Sequence, residues 1–307
     1  MIEIVICTDE NYVMPSGVLM TSILMNSKTP DEVRFHLISE DKLSVAAQTA
    51  LNRIVSRFKS TVLYYNFSLS AQNMPFGLAQ QSDHISVMSY MRLFIVEVLP
   101  DTIDKVIYLD CDVMCRHDLS DLWHEAIDGF AIGCCKEGSE DFSQYNTIRL
   151  EFELGYCNTG VLLINLAYWR KHHVLEKCLK YANDYPERCV WFDQDILNAV
   201  LRREKKILHR KYNVTSSLFG ENRQLLWTDI EEASMAAEDP VLIHFTGSLK
   251  PWHKPFDIHP FSHEYKYYQS QTEWAGVVIN RKNNKRMSDL EKMLRRMKRR
   301  LTTVIRR

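Results

Sequence analysis

Five segments at the start of the chain alternate between two hydrophobic periods. Ile2–Cys7 is short, apolar and β-branched, the pattern of a buried strand, and Val33–Ser39 and Thr61–Asn66 read as a second and a third strand. Between them, Ser16–Asn26 and Leu43–Phe58 carry apolar residues at helical spacing, the second at Leu43, Ala47, Leu51, Ile54, Val55 and Phe58. An order of strand, helix, strand, helix, strand confines the fold to the α/β class. It predicts a mainly parallel twisted sheet flanked by helices. The rhythm continues with a helix over Met88–Leu99, stopped by Pro100, and strands over Lys105–Leu109, Ala131–Cys135 and Val161–Asn165. A helix over Trp191–Leu201 and a strand over Pro240–Phe245 follow. No internal repeat is present. With 307 residues, 46% hydrophobic and 25% charged, the chain can bury a sizeable core, and disorder is excluded as its main state.

Charge divides the chain unevenly. From Arg281 to Arg307 there are 12 basic and 2 acidic residues, which leaves 26 basic and 37 acidic residues before them. The body is therefore acidic and the tail basic. No nucleic-acid partner is expected for the body, and the tail calls for an anionic one. We expect a globular unit over 1–268 and a separate basic segment over 269–307. The eight cysteines form no CxxC pair, and the N-terminus has neither a basic region nor a long enough apolar run for a signal peptide. The expectation is a cytoplasmic protein. In that setting Asn66-Phe67-Ser68 and Asn213-Val214-Thr215 are chance matches to the glycosylation sequon.

Five constellations can carry chemistry. In Lys105–Asp112 (KVIYLDCD) an apolar strand delivers Asp110 and Asp112 at i and i+2, on one side of the chain. Adjacent carboxylates repel unless a cation lies between them, so the pair reads as a divalent-metal site or as a helix cap in a solvated loop. In Val241–His253 (VLIHFTGSLKPWH) a strand again ends on a potential ligand, His244, followed by Gly247 and Lys250. That set suits a metal-bound diphosphate, and equally a core-edge histidine with a turn. At the exit of the first strand, Thr8, Asp9, Asn11 and Tyr12 can accept from a base and stack on it, or simply start a helix. Arg92, on an otherwise apolar helix in HISVMSYMRL, is either exposed or aimed at an anion. Asn158 precedes an apolar strand, and Asp193, Gln194 and Asp195 form a polar knot at a helix start, more than one N-cap needs.

The order of these segments resembles glycosyltransferase family 8, the retaining sugar-nucleotide enzymes of the GT-A fold. Within that family the chain looks most like bacterial lipopolysaccharide and lipooligosaccharide α-galactosyl- or α-glucosyltransferases. TDENY, HISVMSYMRL, KVIYLDCDVMC, NTGVLLINL, DQDILN and HFTGSLKPWH carry the resemblance across roughly residues 1–255. It implies that Asp110, Asp112 and His244 bind Mn²⁺, with Mg²⁺ as second choice, and that the ion bridges the phosphates of UDP-galactose or UDP-glucose. Asp9, Asn11 and Tyr12 would hold uracil and ribose, with Thr8 and Cys111 beside them in the donor site. Gly247 and Lys250 would contact the diphosphate. Arg92, Asn158, Asp193 and Gln194 would surround the donor sugar, with Gln194 nearest the reacting carbon. Glu137 falls where relatives carry a sugar-contacting Asp, and the segment Lys136–Asn146 departs from theirs.

Retention of configuration allows a double displacement through a carboxylate nucleophile or a front-face attack assisted by the departing phosphate. Gln194 is a poor nucleophile and Asp193 is expected to sit too far away, so the second route is expected. In the tail, Leu290, Met293, Leu294, Met297, Leu301, Val304 and Ile305 recur at helical spacing among basic residues. This is the pattern of an interfacial amphipathic helix, placing the protein on the inner face of the membrane, near a lipid-linked glycan acceptor. Two other readings fit the DxD strand. A haloacid-dehalogenase-like phosphohydrolase expects its motif near the chain start and a Thr or Val where Met114 stands. A non-catalytic peripheral membrane protein would bind the sugar nucleotide without turnover.

Overall fold

The protein is seen here in a computed structural model. It describes residues 1–68, 89–137, 142–219, 229–247, 250–253 and 259–279. Among the described residues, seven strands form the main sheet: β1 (Ile2–Cys7), β2 (Val33–Ser39), β3 (Thr61–Asn66), β4 (Lys105–Leu109), β6 (Ile132–Lys136), β7 (Cys157–Asn165) and β8 (Lys205–Ile207). Their order is β3-β2-β1-β4-β7-β6-β8. All pairings are parallel except those of β7, which runs against both of its neighbours. A second sheet, ordered β5-β10-β9, is built from β5 (Val113–Cys115), β9 (Val214–Thr215) and β10 (Leu242–His244).

The apolar runs of β1, β2 and β4 are nearly continuous because the middle of the main sheet is covered on both faces, whereas β3 at the edge is only partly covered. Ile4 and Ile6 pack under the helices Val13–Asn26 and Val45–Arg57, with Leu19, Leu51 and Ile54. Val5 and Tyr108 point the other way, toward Phe94, Trp169 and Leu197. Helix Val45–Arg57 is capped by Ser44, whose hydroxyl accepts from the Ala47 N–H. The four strands β1 to β4 keep the expected bounds.

The helix expected over Met88–Leu99 is helical from residue 89 to Val98 within the described residues, but a 3₁₀ turn over Met91–Phe94 interrupts it before a short α-helix over Ile95–Val98. Met91, Arg92, Leu93 and Phe94 are all buried, so no solvent face remains and tertiary contacts override the periodicity. Strand β7 starts four residues earlier than expected, at Cys157, because a bulge between Cys134 and Cys135 lets Asn158 pair with Cys135. Helix Ser262–Ser270 packs back on the first helix, where Asn26 donates to the Tyr268 hydroxyl (2.8 Å). Trp274 lies over Gly17, where a Cβ would come within 2.3 Å of the ring. The basic segment 281–307 lies outside the described residues.

Trp169 is fully buried in the second layer, and its indole N–H donates to Ala131 O (3.0 Å). Trp169→Ala is expected to cost about 3–5 kcal/mol of stability, read as a lower urea midpoint.

Candidate active site

Strand β4 ends at Leu109, and the chain then turns through Asp110-Cys111-Asp112 into β5. Strand β10 pairs antiparallel with β5, setting His244 opposite Val113, one residue beyond Asp112. That register brings a residue from the far end of the sequence onto the DxD turn. The ligand atoms of Asp110, Asp112 and His244 all lie within 4.8 Å of one another. His244 Nε2 stands 3.1 Å from Asp112 Oδ1 and 3.8 Å from Asp110 Oδ2.

Each carboxylate has further partners. Asp110 Oδ1 accepts from the Tyr108 hydroxyl (2.6 Å) and from Arg92 Nη2 (2.9 Å). Asp112 pairs with the Lys250 ammonium, which also donates to Phe245 O (2.7 Å). Burial opposes ionisation of Asp112, but Lys250 and His244 outweigh it and hold its pKa well below the usual carboxylate range. For His244, burial works against protonation, while Asp112 and Asp110 raise its pKa overall.

The donor set of two carboxylates and one imidazole fits a divalent first-row ion. Gly160 supports the same reading. A Cβ there would lie 2.1 Å from His244 Cε1 and 2.8 Å from Asp110 Oδ2. Only glycine leaves the space between these ligands clear.

Beside this group lies the predicted sugar end. Arg92 is buried and bridges two acids, reaching Asp193 Oδ2 through Nε (3.0 Å) while it holds Asp110. Its guanidinium lies over the Tyr108 ring (4.7 Å) and donates to Thr159 O (2.5 Å). Burial would lower its pKa, but Asp110 and Asp193 raise it overall. Asp193 also accepts from the Thr159 hydroxyl (3.0 Å). Burial lifts its carboxyl to about 6, against the pull of Arg92. Gln194 Oε1 accepts from Thr159 N (3.2 Å), and its Nε2 donates to the Tyr156 hydroxyl (3.3 Å). Tyr156 in turn donates to the fully buried Asp195 (2.7 Å). Phe192, just before this helix, holds a positive φ of 54° without being glycine. Asn158 donates to Glu137 Oε2 (3.0 Å).

A cleft of about 410 Å³ adjoins the DxD turn, lined by Thr8, Asp9, Asn11, Tyr12, Arg92 and Asp112 among others. Asp9 Oδ1 accepts from the backbone N–H groups of Asn11 (2.8 Å) and Tyr12 (3.0 Å), so it caps the turn it begins. Tyr12 sits at the rim, 41% exposed and edge-on to Trp252. Thr8 is buried against the Ser16 hydroxyl (2.9 Å). The Cys111 thiol turns inward and donates to Cys7 O (3.0 Å). Gly247 adopts a positive φ of 86°, the left-handed region that favours glycine. A larger hollow of about 640 Å³, at the opposite end of β4 around Asp104, Lys105, Asn165 and His172, contains none of these residues.

Sequence reasoning did not single out Tyr108, Tyr156, Thr159, Gly160 or Asn213. Thr159 and Gly160 stood inside a quoted segment, NTGVLLINL, beside Asn158. Asn213 carried only the sequon, and its side chain is buried.

The model of glycosyl transferase family 8 matches residues 3–255. The chain belongs to this family. It is therefore a glycosyltransferase, and the dehalogenase-like reading is set aside. Lipopolysaccharide 1,2-glucosyltransferase of Escherichia coli is 30% identical over 252 residues, covering 80% of this chain and 71% of that one. General stress protein A of Bacillus subtilis (strain 168) is 27% identical over 279 residues, covering 90% and 95%. The solved structure of galactosyltransferase LgtC in complex with donor and acceptor sugar analogs superposes with a TM-score of 0.75 at 25% identity, covering 89% of this chain and 96% of that one. The architecture is the GT-A fold expected from the sequence.

Arg92→Met leaves the buried Asp193 and the half-buried Asp110 without their shared cation. Breaking such a pair costs about 3–5 kcal/mol, so the urea midpoint at pH 7 is expected to fall sharply and glycosyl transfer to be lost with it.

Proposed function

We propose that the protein is a retaining, metal-dependent hexosyltransferase. It moves galactose or glucose from a UDP-sugar to lipopolysaccharide, lipooligosaccharide or a related glycan. The convergence of Asp110, Asp112 and His244 beside the cleft, with Gly160 clearing the space between them, carries the reading. The names of the relatives, glucosyltransferases and galactosyltransferases of lipopolysaccharide among them, support the acceptor class and both hexoses.

In this reading Asp110, Asp112 and His244 hold the ion, and the imidazole ligand favours Mn²⁺ over Mg²⁺. The bound ion supplies positive charge where UDP leaves. The chain's own groups do the rest. Asp9, Asn11 and Tyr12 receive the nucleotide at the rim, with Thr8 and Cys111 forming the wall behind. Lys250 is close enough to shift its ammonium from Asp112 to a phosphate oxygen, and the open backbone at Gly247 admits the diphosphate.

Arg92 fixes the end of the sugar pocket, with Asn158 and Glu137 along its side. Asp193 is committed to Arg92 and Thr159, and the amide of Gln194 is a weak nucleophile. Both facts favour front-face attack, in which the departing phosphate takes the proton of the acceptor hydroxyl. Gln194 then presents its carbonyl oxygen to the positive charge that develops on the sugar ring.

UDP release should be measured for UDP-galactose and UDP-glucose with Mn²⁺, with Mg²⁺ and with EDTA. Turnover is expected to be highest with Mn²⁺ and abolished by EDTA. Asp110→Asn and Asp112→Asn should each lose more than about 100-fold, beyond the usual effect of changes outside the ligand shell. Undiminished turnover in EDTA would remove the ion from the mechanism.

The basic segment 281–307 extends the proposal to the membrane. Among the described residues no helix is long and apolar enough to cross a bilayer. The basic and apolar pattern of the tail instead suits the surface of anionic lipid, at about 1 kcal/mol per basic residue near it. Deleting 281–307 is expected to abolish co-sedimentation with anionic vesicles while transfer to a soluble acceptor persists. Vesicle binding that survives the deletion would end the idea.

A further inference from the structure

Asn213 belongs to neither the donor cleft nor the three ligands, yet it touches both ends of the site. It follows the 3₁₀ turn Arg210–Tyr212 and precedes β9, which pairs parallel with β10 at Ile243 and His244. Its side chain is buried between two partners. Nδ2 donates to Asn158 Oδ1 (2.9 Å), and Oδ1 faces His244 Nδ1 (3.1 Å).

The direction of these bonds is dictated rather than free. Gly160 N–H is an unambiguous donor, and it donates to Asn158 Oδ1 (3.0 Å). The Asn158 amide is fixed again at its other end, where Nδ2 donates to the Glu137 carboxylate (3.0 Å). Asn213 must therefore present its NH₂ to Asn158 and its carbonyl to the imidazole. His244 consequently carries a hydrogen on Nδ1, which leaves Nε2 to face Asp110 and Asp112, as a donor to Asp112 without an ion and as the lone-pair ligand when one is bound. A chain of three directed hydrogen bonds runs from Glu137 through Asn158 and Asn213 to the imidazole. The turn that holds Asn213 is itself anchored, since Arg210 donates to Glu137 O (3.0 Å) and pairs with Asp229 (2.9 Å).

We propose that Asn213 is a positioning residue that sets the tautomer of His244 and couples it to the sugar-facing amide of Asn158. The inference rests on the ion reading above. It makes two separable demands: an acceptor toward His244, needed for ion binding, and a donor toward Asn158, needed for sugar transfer. Asn213→Asp keeps the first and destroys the second, because a carboxylate only accepts. Asn213→Ala removes both.

The test is Mn²⁺ binding by calorimetry without donor, together with kcat and KM for UDP-sugar, on folded samples checked by circular dichroism. Asn213→Ala is expected to weaken Mn²⁺ by about 10–100-fold. Asn213→Asp should bind Mn²⁺ within a few-fold of wild type, yet lose at least about 10-fold in kcat, a split that a purely structural residue would not produce. Should Asn213→Ala fail to fold, Asn213→Asp alone decides. Wild-type Mn²⁺ affinity in Asn213→Ala, wild-type kcat in Asn213→Asp, or loss of Mn²⁺ in Asn213→Asp overturns the role of Asn213. Absence of Mn²⁺ binding in the wild type, or wild-type binding in Asp112→Asn, overturns instead the ion reading on which it rests.

Discussion

Two carboxylates on the end of one buried strand are an electrostatic liability, and the site is organised around neutralising them. Asp110 and Asp112 are two residues apart, and like charges that close raise each other's energy unless cations intervene. The fold brings three cationic or protonatable groups to them from three directions. Arg92 comes from beneath the sheet's second face, Lys250 from the loop after β10, and His244 from β10 itself. None of these side chains lies near the acids in sequence. The sheet order, with β4 at the centre and β10 laid on β5, exists in the same geometry as this charge balance.

The Asp193 side of the site depends on the same arginine. Because Arg92 holds Asp110 and Asp193 at once, the DxD turn and the helix Asp193–Val200 are fixed relative to each other through one guanidinium. Its planar fork suits that task better than an ammonium would. Thr159 fills in the remaining bonds, with its carbonyl on Arg92, its hydroxyl on Asp193 and its N–H on Gln194. The strand β7, which runs against both of its neighbours, supplies Thr159.

Much of this was legible in the sequence. The strands β1 to β4 followed from short apolar runs; β1, β2 and β4 are buried over most of their length, whereas β3 lies half-exposed at the sheet edge. The cluster of Asp110, Asp112 and His244 followed from apolar strands that stop at an acid or an imidazole. Residues that act through a neighbour were hidden. Tyr108 is indistinguishable from a core aromatic inside KVIYL, and Gly160 reads as an ordinary strand glycine until the Cβ it lacks is seen to collide with His244. Asn213 had no local signal because its meaning lies in a parallel pairing of two very short strands, β9 and β10, too brief to show a period. The 3₁₀ turn at Met91–Phe94 escaped because enclosure on all sides erases the amphipathic stripe that marks a helix.

Phe192 carries a trade-off between durability and activity. Its left-handed backbone costs about 1–3 kcal/mol, which the surrounding packing must offset, including the edge-on contact with Tyr90. That conformation launches the helix bearing Asp193 and Gln194 at the angle the pocket requires. Directed evolution for heat tolerance would meet this position early, since glycine relaxes the backbone at once. The relaxed variant would also free the approach angle of Asp193 and Gln194, so the unfavourable dihedral is part of what keeps their contacts with Arg92, Thr159 and Tyr156 in place.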